Sequence, residues 1–365
     1  MYKLLDFHGK WTCDTWTLNI DGNQDLVLVS SEKLWFEFFP AEWELKAKEL
    51  ELRISNNSTN TNIIIALSDN KENLVGNSVS DEQRTEVRFN RIASTPEIGE
   101  FKDILEPDPL EVRVQELNDF AKYQDDNVVI SFEYDLNRRD LYMKIIEEFG
   151  LDEITAGHED VDLMIVLLNW MSDNFRHASS GLPDERNAIS IIDYLKENPD
   201  GVNCRGLSII FAEVLRLYGI PAKHITVCAP EANHPVHAVV HAYSSKLQQW
   251  ILFDPTVKVY LTDEKGSFMN LYTLRKAVAD GEPLFVNEDA NYNGNFMMTI
   301  ADYKQYIAPY LFRFYSATNF SFGSGEDETT QFMLIPVGFA GEVPRDTKST
   351  FITTTSADAF FATPQ

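Results

Sequence analysis

Through the first 135 residues, apolar positions alternate with polar ones. Trp11, Cys13 and Thr15 alternate with polar partners, and Trp16, Leu18 and Ile20 continue on the other parity. The runs DLVLVSS (25–31), KLWFEFF (33–39), ELELRI (49–54), NIIIAL (62–67), EVRFNRI (86–92) and NVVISFEY (127–134) follow. A period of two predicts strands with one face buried. Polar and Pro-rich clusters such as SNNSTNTN and EPDP separate these runs, and Pro40 ends one because it has no N–H for a sheet ladder. Short strands at this spacing predict a β-sandwich-like domain or an open barrel over residues 1–135.

The period changes near residue 136. LNRRDLYMKIIEEFG predicts a helix with Gly150 as its C-cap. Val161, Met164, Leu168, Met171 and Phe175 mark one face of a long amphipathic helix, and Ala188, Ile191, Ile192 and Leu195 mark a shorter one. Leu207, Ile210, Phe211, Val214, Leu215 and Tyr218 mark a third, stopped by Gly219 and Pro221. Strand-like runs follow at 223–228, 236–244 and 249–256, then another helix near 271–279. Beyond residue 300 the chain returns to strand-like runs, FRFYSATNFSF, QFMLIPVGF and TFITTTSADAFF. The pattern predicts three parts: a β-rich domain (1–135), an α+β core (136–300) and a β-rich C-terminal extension (301–365). The polar, turn-rich segment FVNEDANYNGN (285–295) reads as a surface loop, with a place near the site as the alternative.

Composition narrows the function classes. The 365 residues carry 57 acidic side chains against 31 basic ones, a net charge of −26. Such a surface repels phosphate backbones and anionic membranes and favours cationic partners. No apolar run approaches the 18 or so residues of a membrane span. The three cysteines, Cys13, Cys204 and Cys228, are too few for a disulfide framework. With no signal-like N-terminus, the expectation is a reduced, cytoplasmic protein; an exported form without its signal would read the same.

The chemistry concentrates after residue 200. Cys204 falls at the start of the third helix, where unpaired N–H groups favour a thiolate and donate to an oxyanion. A thiolate nucleophile needs an imidazole to trade protons, and the imidazole needs a carboxylate to orient it. VHAVVHAYS supplies His237 and His241, and WILFDPT supplies Asp254. A hairpin turning at SSKLQQ brings Asp254 diagonally opposite either histidine. His234, His237, His241 and Asp254 also look like metal ligands, but His237 and His241 on one strand lie about 13 Å apart, too far to share a zinc. No metal or cofactor is expected.

CRGLSIIFAEVLRLYGIPAKH (204–224), HAVVHAY (237–243) and WILFDPT (250–256) together resemble the transglutaminase-like superfamily, over roughly residues 155–260. The resemblance implies a papain-like core in which a cysteine-bearing helix packs on antiparallel strands. It implies Cys204 as nucleophile, His237 rather than His241 as base, and Asp254 as third member. Trp170, Asn187 and Asn203 stand as candidates for a further oxyanion or substrate-binding group, with His241 beside them. The chain departs from many members at Val239, where they have Trp, and at Val202, where they have Gly; Gly201 lies one place further back. The implied function is acyl transfer on a peptide or carboxamide, with water as acceptor. Cross-linking to a cationic amine is the alternative chemistry, and an inactive binding protein the alternative class. No EF-hand calcium loop is present.

Overall fold

The structure, a computed structural model, describes residues 3–13, 16–21, 26–30, 39–56, 59–68, 71–80, 83–93, 110–178, 181–230, 236–321, 330–339 and 349–364. The chain forms two compact units, Met1–Pro107 and Asp108–Gln365. Most of the predicted strand 33–39, and His234, lie outside the described residues.

In the first unit, β1 (Gly9–Thr12), β2 (Thr17–Asp21), β3 (Leu26–Ser30), β4 (Phe39–Pro40), β5 (Glu42–Lys46), β6 (Glu49–Asn56), β7 (Thr59–Leu67), β8 (Asn73–Ser80) and β9 (Gln83–Ala93) form one sheet. Their order is β4-β3-β2-β1-β9-β8-β7-β6-β5. Only Ala41 separates β4 from β5, yet these are the two ends of the order. The sheet must therefore curl until its edges meet. Trp11, Leu18, Val27, Leu50, Ile63, Leu74 and Phe89 fill the enclosed core. All come from the alternating positions, since side chains on a strand point to opposite faces in turn.

The second unit is α+β. Its helices are α1 (Leu110–Asp119), α2 (Arg139–Phe149), α3 (Leu151–Thr155), α4 (Asp160–Asn174), α5 (Ala188–Glu197), α6 (Cys204–Leu217), α7 (Leu271–Asp280), α8 (Ile300–Ile307) and α9 (Ala357–Phe360). Its strands include β10 (Glu133–Tyr134), β11 (Ala222–Cys228), β12 (His237–Ser244), β13 (Gln249–Asp254), β14 (Val259–Thr262) and β15 (Phe285–Val286). After them come β16 (Asn291–Tyr292), β17 (Phe296–Met297), β18 (Arg313–Ala317), β19 (Asn319–Phe320), β20 (Thr330–Leu334) and β21 (Thr350–Thr354). The main sheet runs β15-β14-β13-β12-β11-β18-β20-β21, antiparallel except for β20 and β21. Helix α6 is buried almost throughout, and its Ile210, Phe211 and Val214 share a core cluster with Val240, Ala242, Ile251 and Phe253 of the sheet.

Two expectations about boundaries meet a different arrangement. Residues 108–135 belong with the second unit: Asn118 donates to Ala279 O at 3.1 Å, and the Thr354 hydroxyl donates to Asp126 at 2.8 Å. Of the run 127–134 only Glu133 and Tyr134 pair as a strand, and Val129 is 88% exposed. Residues 301–365 supply β18, β20 and β21 to the core sheet itself, because β18 pairs with β11. No helix among the described residues is long and apolar enough to cross a membrane.

Candidate functional site

Cys204 opens helix α6, with Asn203 as N-cap; the Asn203 side chain accepts the Gly206 N–H at 3.1 Å. That leaves the first-turn N–H groups and the positive end of the helix beside Cys204, a half-buried residue. Ser208, one turn into the helix, donates to Ala238 O at 3.0 Å and pins α6 to the strand that begins with His237. Gly206 lets the Leu182 and Val202 side chains pack close, since a Cβ would come within 2.7 Å of Leu182 and 2.9 Å of Val202 and make them shift.

His237 is 3% exposed and Asp254 is fully buried. Val240 pairs with Phe253, so the register sets Asp254 between His237 and His241 on one sheet face. Only His237 meets it, with Nε2 2.8 Å from Oδ2. Asp254 Oδ1 accepts the Thr256 N–H at 3.1 Å, and the Tyr303 hydroxyl donates to Oδ2 at 3.4 Å. The Tyr306 hydroxyl lies 3.0 Å from Nδ1 of His237, and the Tyr310 ring sits 5.9 Å from the imidazole.

The charges are set by these contacts. Burial alone would raise the Cys204 thiol, but the His237 charge and hydrogen bonds with His177 and His237 bring it down to about 5. Burial alone would lower His237, but the carboxylate of Asp254 and the sulfur of Cys204 raise it to about 10. Both shifts favour a thiolate beside an imidazolium. A thiolate is the nucleophilic form of cysteine, and an imidazolium is ready to protonate a leaving group.

Residues 152–255 match the family described as the transglutaminase-like superfamily. This stretch is similar to a transglutaminase-like core. A search of curated proteins finds no match. Among solved structures, the chain is similar to a proposed cysteine protease from Cytophaga hutchinsonii, at 15% identity over 77% of this chain and 82% of that one, with a TM-score of 0.27. It is similar to a TGase at 15% identity over 52% of this chain and 48% of that one, with a TM-score of 0.23. Red sea bream transglutaminase matches at 11% identity over 82% of this chain and 60% of that one, with a TM-score of 0.27. Identities this low carry no activity over to this chain.

Within the transglutaminase-like core, Cys204, His237 and Asp254 come together, and Asn203 stands beside them as the helix cap. The other candidates are engaged elsewhere. Trp170 packs edge-on between Phe149 and Phe175. Asn187 caps α5 by accepting the Ser190 N–H at 2.9 Å. His241 accepts the Leu271 N–H at 3.0 Å and stacks on Trp250; burial and the nearby Lys223 charge hold its pKa well below the usual imidazole range. Among the described residues no group of three or more His, Cys, Asp or Glu is arranged to hold a metal.

The sequence reading passed over four residues at the site. Tyr303, Tyr306 and Tyr310 form a helical stripe on α8 and the turn after it (Ala308–Tyr310). The Thr299–Asp302 capping box was a usable signal for that helix. The fourth is His177, whose backbone bridges to Val202 two residues before Cys204 and which helps to lower the Cys204 thiol. The segment expected to be a plain surface loop holds it: Asn293 accepts the His177 N–H at 2.8 Å and donates to its carbonyl at 3.0 Å.

Proposed function

We propose that this chain is a cysteine-dependent acyl-transfer enzyme that hydrolyses a peptide or carboxamide bond. Cys204 Sγ attacks the carbonyl carbon, forming an S–C bond. As the C–N bond breaks, His237 gives its proton to the leaving amine, and Asp254 holds the ring in position. Water then attacks the thioester, yielding its proton to His237, and the thiolate leaves. The single observation that carries this reading is the arrangement of a cysteine at a helix N-terminus beside His237, whose Nε2 lies 2.8 Å from a buried Asp254 carboxylate; the thiol is lowered and the imidazole raised accordingly. A structural cysteine in a core needs no such partner.

Water as the acceptor follows from the family resemblance. The net charge of −26 favours cationic substrates.

The test is alkylation by iodoacetamide, followed at each cysteine by peptide mass spectrometry, together with a screen of peptide substrates. Fast, selective alkylation of Cys204 below pH 7 that His237→Ala abolishes is the expected result. Equal reactivity of Cys204, Cys13 and Cys228 would sink the proposal. A primary amine added to the reaction separates the acceptors: a transamidase converts the acyl group to an amide, and a hydrolase releases the acid.

A further inference from the structure

His177 is anchored from two sides beside Cys204. On one side its backbone bridges to Val202, with Ala178 N donating to Val202 O at 2.9 Å and Val202 N to Arg176 O at 3.1 Å. Gly201 permits this approach: its φ is +125°, and a Cβ would lie 2.4 Å from Arg176 O. On the other side, Asn293 grips both backbone groups of His177, and the Tyr292 hydroxyl lies 3.1 Å from Nδ1. Clamping at both ends is how a protein aims one side chain at a reacting atom.

The ring's partners define its role. His237 has a carboxylate behind it and so trades protons. His177 has a phenol rather than a carboxylate behind it, the Tyr292 hydroxyl 3.1 Å from Nδ1. Where the Tyr292 O–H donates to Nδ1, the ring proton sits on Nε2. His177 therefore has a ring N–H to offer, and its Nδ1 partner is a hydroxyl where that of His237 Nε2 is a carboxylate. Both His177 and Cys204 are half-buried residues.

We propose that His177 is a further catalytic residue, an oxyanion donor whose Nε2–H binds the thiolate at rest and passes to the carbonyl oxygen of the substrate in the transition state. When the S–C bond forms, the negative charge leaves sulfur and appears on that oxygen. Both donors at the sulfur, the helix N-terminus and His177, can then follow the charge. This rests on the reading of Cys204 as nucleophile.

The experiment compares two reactions of Cys204 in the full chain at about pH 8, where the thiolate is formed. Acylation by p-nitrophenyl acetate passes through an oxyanion; alkylation by iodoacetamide does not. His177→Phe is expected to slow acylation by about 100-fold, the size of losing one oxyanion donor, while alkylation changes by less than about threefold. His177→Gln, which keeps an N–H donor, is expected to recover most of the acylation rate. Equal losses in both reactions would overturn the proposal, as would unchanged acylation in His177→Phe or a glutamine variant as slow as the phenylalanine one. If wild-type Cys204 reacts with neither reagent faster than Cys13 and Cys228, the nucleophile reading itself fails, a result distinct from any effect of His177.

Discussion

Asp254 and His237 meet at 2.8 Å in the interior of the sheet, with the carboxylate wholly removed from water. A buried carboxylate is costly unless paired and hydrogen-bonded, and here the imidazolium, the Thr256 N–H and the Tyr303 hydroxyl meet that need. The pair is therefore a charge relay only in the sense of orientation: Asp254 fixes the ring and sustains its positive form.

Asp254→Asn keeps the shape and removes the charge. His237 then loses its main support in the charged form, and Cys204 loses its counter-ion in turn. The pH midpoint for alkylation of Cys204 should move upward from about 5, and acyl transfer should fall by about 10²- to 10⁴-fold. An unchanged alkylation profile, measured by peptide mass spectrometry, would refute the linkage.

The pH profile of the wild-type site follows from the same pair. The thiol is lowered to about 5, so the thiolate is lost as pH falls through that value; the imidazole is raised to about 10, so its proton is lost as pH rises through that value. The rate of acyl transfer should form a broad plateau bounded by limbs near those two values, which belong to the coupled pair. A single limb near pH 8.5, as for an ordinary thiol, would contradict the ion pair.

Gly201→Ala should loosen the site from outside it. The new Cβ would meet Arg176 O at 2.4 Å, in a backbone conformation of φ +125° that side chains rarely adopt. The segment carrying His177 must then shift. A loss of about 1–3 kcal/mol in urea unfolding is expected, with slower reactions at Cys204. Gly294→Ala, where a Cβ meets open space, should cost less.

Lys223 gives a pH signature unrelated to catalysis. It is fully buried, donates to Phe360 O at 2.8 Å, and is lowered to about 7 by desolvation. Between about 7 and 10.5 the unfolded chain holds more protons at this lysine than the native one does, so its contribution to stability rises with pH over that window. Lys223→Met should flatten that slope in denaturation curves taken across the window. A slope unchanged by the substitution would place its origin elsewhere.

Much of this was legible in the chain before any coordinates. Alternation around Trp11, Leu18 and Ile63 marked the buried face of the first unit, and the stripe Leu207–Tyr218 with its Gly219 stop marked the helix that Cys204 begins. Helix α8 was missed because its Tyr303, Tyr306 and Tyr310 sit among strand-like aromatic runs, where short-range pattern does not separate core from site. NVVISFEY alternates like a strand but pairs only at its end, since strand formation depends on a neighbour and not on the run alone.

The amino-acid sequence by itself determined what local physics can determine: which segments are helical, where the helix N-terminus meets a cysteine, and that two histidines and one aspartate share a hairpin. Tertiary structure decided between the histidines. His237 and His241 have the same parity and flank Asp254 in the same way, so nothing along the strand separates them. Packing does: Trp250, Phe361 and the Leu271 N–H enclose His241, while α6 and Tyr306 bring a sulfur and a hydroxyl to His237. The same holds for His177, brought to Cys204 by a glycine's close approach and by an asparagine far along the chain. Contacts between distant segments follow from how whole elements stack, and the period of hydrophobic residues carries no record of them.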